Sequence, residues 1–214
     1  MKEVYFQRWV FGKMQDVQTS IEVLDGYNKT KFSRKKNMDE YLLLEAAKYA
    51  HDNQLLYFVT IFENEKPYCY LEINKGFYRV NFFDEYNRVY MTYTFLGKDD
   101  IAEWRKNYDN RLLLESIMFW EFEGSTDKMV KISDHIFKPD GSFHIIERDL
   151  INNEQIDSES KNKIDVTSNW EDYPEFGKYE SLIRKEREAI TTLQLNSSES
   201  LPPCGLCEKE KGKA

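Results

Sequence analysis

Residues 55–96 read LLYFVTIFENEKPYCYLEINKGFYRVNFFDEYNRVYMTYTFL, and the architecture of the chain follows from them. They form four runs of aromatic and β-branched residues, which succeed one another at a spacing of roughly ten residues. Short polar stretches at 64–67, 74–76 and 84–87 separate the runs. Because these connections are far too short for parallel crossovers, the pattern predicts an antiparallel β-meander.

Further strands flank the meander on both sides. Runs rich in β-forming residues predict strands at 3–11, 111–122, 128–137 and 142–150. Within the polar stretch 12–36 the pattern indicates at most a strand at 21–24. Residues 151–169 are polar and poor in large apolar groups, so we expect a loop or a weak edge strand there.

Three segments show the periodicity of helices. The first covers 38–52, where Asn37 and Glu40 form a capping-box pattern. Its positions that recur at helical spacing are Tyr41, Leu44, Ala47 and Lys48. The other two cover 99–109 and 174–195, the last with a proline in its first turn, where a helix tolerates it.

The hairpin at 128–150 decides between two interpretations of its histidines. Its turn, Lys138-Pro139-Asp140-Gly141, predicts that Phe137 pairs with Phe143 and that Ile136 pairs with His144. His135 then lies opposite Ile145, on the other face of the sheet from His144. This register favours structural histidines over a metal site, whereas a slip of one residue brings the two rings together.

These elements define the predicted fold. We expect an α+β protein with an antiparallel β-meander, or a sheet of six or more strands, and about three helices. The elements predict a single domain over 1–195, followed by a flexible tail at 196–214 that is rich in serine, proline, glycine and lysine.

Composition limits the classes of function. The 214 residues carry a net charge of −8, and residues 37–150 alone hold thirteen basic and twenty-one acidic residues. Nucleic acids attract clustered lysine and arginine, so this balance argues against a nucleic-acid partner. An acidic body is suited to a basic protein partner, although the charge can also serve solubility alone. Aromatic residues make up 15% of the chain, which argues against wholesale disorder.

Targeting signals and cysteine usage predict a cytoplasmic protein. No secretory signal begins the chain, and no window approaches the roughly 20 apolar residues of a membrane span, so no membrane partner is expected. Three cysteines cannot all pair within one chain, which favours a reduced compartment. Cys204 and Cys207 form a Cys-x-x-Cys pair in the tail, but no second pair completes a zinc site. This pair is a weak candidate for metal or redox chemistry, and no cofactor is predicted.

The sequence contains no recognisable catalytic set. It lacks a phosphate-binding glycine loop, a Gly-x-Ser-x-Gly elbow and a His-Glu-x-x-His helix. Carboxylates are abundant, for example at Glu121, Glu123 and Asp127, but nothing selects one pair for acid–base work. Aromatic residues occur on both faces of the predicted strands, so either helices cover both faces or one face is an interface.

A resemblance to a known family comes from the C-terminal third. Residues 168–184, SNWEDYPEFGKYESLIR, together with the hairpin turn at 137–141, resemble bacterial immunity proteins of polymorphic toxin systems. These proteins are paired with contact-dependent inhibition or Maf-type toxins. The resemblance implies a non-enzymatic inhibitor that occludes the active site of its toxin, which in many such systems is a nuclease.

The sequence therefore leads to one functional hypothesis and two alternatives. We expect an immunity protein that binds a cognate basic toxin without catalysis. Charge and position make these residues candidate contacts: Glu63, Glu65, Glu72, Trp120, Glu121 and Glu123. The alternatives are an adaptor domain and a small cytoplasmic enzyme, either a carboxylate-based hydrolase or a thiol–disulfide protein that uses Cys204 and Cys207.

Overall fold

The computed structural model describes residues 2–98, 105, 108, 111–160 and 162–187. Its helices are α1 (Val17–Asn28) and α2 (Glu40–Asp52). Its strands are β1 (Lys2–Tyr5), β2 (Trp9–Val10), β3 (Lys13–Met14), β4 (Tyr57–Glu63), β5 (Lys66–Asn74), β6 (Phe77–Phe83), β7 (Val89–Leu96), β8 (Arg111–Phe122), β9 (Met129–Phe137), β10 (Phe143–Asp149), β11 (Glu154–Glu159) and β12 (Trp170–Asp172).

The predicted antiparallel meander is confirmed and belongs to a sheet of ten strands. Strands β4 to β11 pair in the order of the sequence, β1 extends one edge, and the short β12 pairs with β8, which gives a ten-stranded sheet. Every pairing is antiparallel. Tyr57, Ile73 and Tyr78 are register partners on three successive strands, so their side chains form one row on one face.

The C-terminal segment 173–187, here called the strap, covers the face that carries this row. Its Tyr179, Leu182 and Ile183 are buried. The Tyr68 hydroxyl donates to the Ile183 carbonyl at 3.0 Å, and the Tyr93 hydroxyl donates to the Lys185 carbonyl at 3.1 Å. Tyrosines of the sheet therefore hold the strap through its backbone, which needs no regular structure of its own.

A buried ion pair fixes the end of the strap. Arg187, whose side chain has no exposed surface, donates to a Glu171 carboxylate oxygen at 2.7 Å, and Arg184 reaches the same oxygen at 2.7 Å. The guanidinium of Arg187 also lies 5.3 Å from the ring centroid of Tyr93. Strap, β12 and sheet are thus joined at one point.

The N-terminal region covers the opposite face of the meander. The Trp9 ring packs against Phe62 and Phe83, with ring centroids 6.3 and 4.7 Å away. The Thr60 hydroxyl donates to the Gln7 carbonyl at 2.8 Å. Both faces of the meander strands are therefore covered, and the buried residues of α1 and α2 belong to the same core cluster as the strands.

The predicted balance of helix and sheet was wrong. The described residues hold two α-helices rather than about three, beside a much larger sheet. The helix predicted at 174–195 is absent from 174–187, where Gly177 has a φ of +83° and the helix-like hydrogen bonds are confined to isolated turns at 175–178 and 179–183. Burial of Tyr179, Leu182 and Ile183 against strands, not against a helix partner, explains the helical spacing.

Other predicted segments fall outside the described residues. The helix at 99–109 does so except for Arg105 and Tyr108, and so does the tail at 196–214. The single domain over 1–195 likewise stays a prediction.

The N-terminal elements also differ from their predictions. The proposed strand at 21–24 lies within α1, which begins after Asp16, whose carboxylate accepts from the Thr19 amide at 2.8 Å. The predicted first strand at 3–11 is divided between β1 and β2.

Helix α2 is confirmed, but its cap is Asp39 rather than Asn37. Its buried side chains are Leu42, Leu43, Ala46, Ala47 and Ala50, which leaves Tyr41 and Leu44 exposed.

The hairpin register is confirmed residue by residue. Phe137 pairs with Phe143, Ile136 with His144, and His135 with Ile145. The two histidines therefore lie on opposite faces, and the described part of the chain contains no group of three or more potential metal ligands. The weak edge expected within 151–169 is β11, whose side chains are all exposed. No helix among the described residues has the length and apolar character to cross a membrane.

Candidate functional sites at the two ends of the sheet

The meander places alternate turns at opposite ends of the sheet. At one end lie 63–66, 84–88, 121–128 and 149–154, here called the turn rim. At the other end lie the β5–β6 turn, the end of β7 and the turn at 138–141. Each end gathers residues that are far apart in the sequence, so each is a candidate site.

The turn rim is strongly acidic. Its four segments contain nine acidic and three basic residues, whereas the whole chain has 38 and 30. Arg88 holds two of the turns together: it pairs with Asp84 at 2.7 Å, donates to the Gly124 carbonyl at 3.0 Å and also donates to the Thr126 carbonyl. The remaining carboxylates are therefore presented on turns that are partly rigid.

Asp84 itself stays ionised. Burial acts to raise the pKa of its carboxyl group, but hydrogen bonds from Arg88 and from the Tyr86 amide outweigh burial and lower the pKa below its ordinary value. The Arg88 guanidinium also stacks on the Phe122 ring, 4.4 Å from its centroid. This cluster is a structural support for the rim.

Large apolar side chains project from the tips of the same end. Phe11 is 99% exposed, Ile151 is 67% exposed and Tyr86 is 50% exposed. Phe11 lies at the tip of the β2–β3 hairpin with a φ of +50°, before Gly12 at +76°. The hairpin lies at the rim because Trp9 packs against residues at the rim ends of β4 and β6. Exposed aromatic residues surrounded by charges are typical of protein-binding anchors.

Five of the six candidate contact residues lie at or beside the rim. Glu63 and Glu65 lie at the β4–β5 turn, and Trp120, Glu121 and Glu123 lie at the end of β8. Four strand spacings separate β4 from β8, about 19 Å in total, which one protein interface can span.

Glu72 is not brought to this end. It lies within β5 and accepts hydrogen bonds from the Tyr70 hydroxyl at 3.2 Å and from Arg79 at 3.4 Å. Sequence reasoning missed Phe11, which it assigned to a strand. The adjacent glycine was the signal for a turn at that point.

The opposite end holds a cleft of about 760 Å³. Its floor is the cross-strand row of Tyr57, Ile73 and Tyr78. Its walls come from the residues after α2, the β5–β6 turn, the end of β7 and the start of the strap: His51, Gln54, Leu55, Asn74, Lys75, Gly76, Lys98, Asp172, Tyr173 and Pro174.

A chain of hydrogen bonds fixes the floor of the cleft. His51 Nδ1 lies 2.9 Å from the Tyr57 hydroxyl, which lies 3.3 Å from the Tyr179 hydroxyl. Burial lowers the pKa of His51 and raises the pKa of Tyr57, so both side chains are neutral near pH 7. Tyr57 is thereby tied to α2 and to the strap.

The cleft is basic although the chain is acidic. Neither Lys75 nor Lys98 forms an ion pair within the part of the chain that the structure describes. The one carboxylate among the lining residues, Asp172, lies 3.6 Å from Arg111. The cleft therefore presents two lysines without a counter-ion among the residues that the structure describes.

The structure does not test the thiol–disulfide hypothesis. Cys204 and Cys207 lie outside the described residues. Cys69 is buried within β5, and burial raises the pKa of its thiol, so it packs as a small apolar side chain.

Comparisons with known proteins add no relative. Protein-family models, curated proteins and solved structures give no match to this chain. The arguments for function therefore come from its own residues and from the resemblance described above.

Proposed function

We propose that this chain is an immunity protein that binds a cognate basic bacterial toxin and neutralises it by occluding its active site, without catalysing a reaction. The observation that supports the proposal is the turn rim, whose four segments hold nine acidic and three basic residues, at the end of the sheet where Phe11 is 99% exposed. The resemblance of residues 168–184 to immunity proteins of polymorphic toxin systems points in the same direction.

The two components of the rim have different physical effects on binding. Carboxylates at the edge of an interface attract a basic partner over long distances and mainly speed association. Apolar anchors such as Phe11, Tyr86 and Ile151 supply most of the binding free energy once they enter pockets on the partner. The rim is therefore expected to give fast association and slow dissociation of the toxin.

The proposal favours a nuclease as the toxin. A nuclease binds the phosphates of its substrate with lysine and arginine side chains, so its active site is basic. The rim holds nine acidic and three basic residues, an excess of complementary charge, and the Asp84–Arg88 pair holds adjacent turns in place before binding. A standard interface of about 800 Å² on each partner covers such an active site.

Co-expression with the product of the neighbouring gene tests the proposal. We expect the two proteins to co-purify and the chain to protect cells that express the toxin. A variant truncated after residue 196 is the control for the thiol–disulfide alternative, since it lacks Cys204 and Cys207. We expect this variant to protect fully. The proposal fails if the full chain does not bind that product at micromolar concentration or does not protect the cells.

A further inference from the structure

The cleft at the end of the sheet opposite the rim has no role in the proposed inhibition. We propose that it binds a small molecule that carries a phosphate or carboxylate group attached to a ring. The inference depends on the lining charges, the donor groups and the aromatic floor, each of which is independent of the turn rim.

Uncompensated charge identifies the anionic group. In a chain of net charge −8, Lys75 and Lys98 line the same cleft, and neither forms an ion pair among the described residues. Two lysines that line one cleft carry like charges, and an anion bound between them would offset their repulsion. Lysine is a common ligand for phosphate and carboxylate oxygens.

The polar groups of the cleft match the same ligand. His51 Nδ1 is engaged by Tyr57, and Nε2 has no hydrogen-bond partner among the described residues. Gln54 and Asn74 add amide groups to the lining. Donors therefore outnumber carboxylate acceptors, which favours a ligand rich in acceptor oxygens.

The floor and one wall are aromatic, which indicates the ring. The Tyr78 and Tyr173 rings lie 5.9 Å apart in an edge-to-face arrangement beside Tyr57. Tyr78 is 7% exposed and Tyr173 is 36% exposed, so a planar or sugar ring gains contact area mainly on the Tyr173 ring. The volume of about 760 Å³ exceeds what an inorganic anion alone needs, so the cleft has room for the attached ring.

Gly97 leaves the space that the Tyr173 ring occupies in the wall of the cleft. A Cβ atom on Gly97 would come within 1.9 Å of the Tyr173 hydroxyl oxygen, so only glycine lets the Tyr173 ring lie across the end of β7. The Gly97 amide donates to the Gly76 carbonyl at 2.8 Å, which joins the two turns that carry Lys98 and Lys75. The cleft is therefore formed before any ligand arrives.

Isothermal titration calorimetry with three probes tests the proposal: inorganic phosphate, adenosine 5′-monophosphate and citrate. We expect the nucleotide to bind with a Kd below about 1 mM and at least tenfold more tightly than inorganic phosphate, because it adds the ring. Tighter binding of citrate than of the nucleotide would support a site for an anion but would contradict the proposal that the ligand carries a ring. No binding of any probe at 10 mM, the concentration chosen for the assay, would overturn the site itself.

Paired lysine variants localise the binding. The double variant K75Q/K98Q should weaken nucleotide binding at least tenfold, whereas K31Q/K36Q, with the same change of charge at exposed positions outside the cleft, should not. Equal weakening in both variants would overturn the assignment to the cleft. Protection against the toxin should be unchanged in K75Q/K98Q. A failure of the cleft proposal can therefore be distinguished from a failure of the proposed function.

Discussion

The two ends of the sheet are made by the same meander and differ in almost every property that governs binding. The turn rim contains nine acidic and three basic residues and has apolar side chains at its tips. The cleft end is concave, has tyrosines on its floor and presents two lysines without ion pairs among the described residues. The strands set the framework at both ends, and the residues of the turns determine what each end can bind.

This contrast teaches that shape and charge act together. Projecting apolar tips fit pockets on a large partner, whereas a concave floor encloses a small one. The strap lines the cleft through Tyr173 and Pro174, while its Lys185 lies over the ring of Tyr68 at the start of β5, beside the turn rim. The ends are therefore expected to respond differently to the same kind of substitution.

The largest expected effect comes from removing a buried contact of the strap. Tyr179→Ala deletes a side chain that is 1% exposed and loses its hydrogen bond to Tyr57, so the free energy of unfolding should fall by about 3–5 kcal/mol. Urea denaturation measures this change. The control is Phe11→Ala at the rim, where 99% exposure predicts a change within about 0.5 kcal/mol. Equal losses in the two variants would contradict the assignment of the strap to the core.

The second expected effect is on toxin binding, where Phe11 rather than Tyr179 is the sensitive position. Phe11→Ala should weaken binding to the toxin by about 2 kcal/mol, close to 30-fold, because it removes an aromatic anchor. Surface plasmon resonance gives the affinity. Tyr41→Ala is a matched control, since Tyr41 is 77% exposed on α2 and away from the rim. A larger loss in the control than in Phe11→Ala would place the interface on the helices.

The third effect concerns the rate of association. The double variant E65Q/E123Q should slow association about tenfold at low ionic strength, and the difference should shrink as salt screens the charges. Stopped-flow measurements at two salt concentrations test this. The control E22Q/E180Q removes the same charge at exposed positions outside the rim and should change the rate much less. A rate unaffected by E65Q/E123Q would show that the rim does not steer the partner.

The smallest effect belongs to the cleft end and depends on pH. Burial lowers the pKa of His51 below its ordinary value near 6.5, so the unfolded chain takes up this proton more readily than the folded chain. Stability should therefore fall as the pH drops through 6.5, until folded His51 is itself protonated. His51→Gln cannot titrate, and urea denaturation at pH 7.5 and 5.5 should show a smaller loss in this variant. An equal loss would mean that His51 contributes nothing to the pH dependence.

Strand pairing was readable from the sequence because it depends on local features. The turn at 138–141 has proline, aspartate and glycine where such a turn needs them, and the register of the β9–β10 hairpin follows from it. Helices were less readable. In the strap, Tyr179, Leu182 and Ile183 share helical spacing, but contacts with distant strands override that preference.

The sequence predicted one of the two candidate sites better than the other, because local features are readable and contacts between distant residues are not. The acidic turns of the rim are short continuous segments, so charge and position were enough to propose Glu63, Glu65, Glu121 and Glu123 as contacts. The cleft combines His51, Lys75, Lys98 and Tyr173, which only the folded sheet brings together. No local pattern connects a helix end at 51 with a strap residue at 173.

Hydrogen exchange measured by mass spectrometry, on the free chain and on its complex with the neighbouring gene's product, tests the central claim most directly. If the turn rim binds the toxin, amides in 9–14, 84–88 and 121–128 should gain protection, while 74–78 and 97–98 at the cleft end should not change. Protection confined to the cleft end, with none at the rim, would contradict the account.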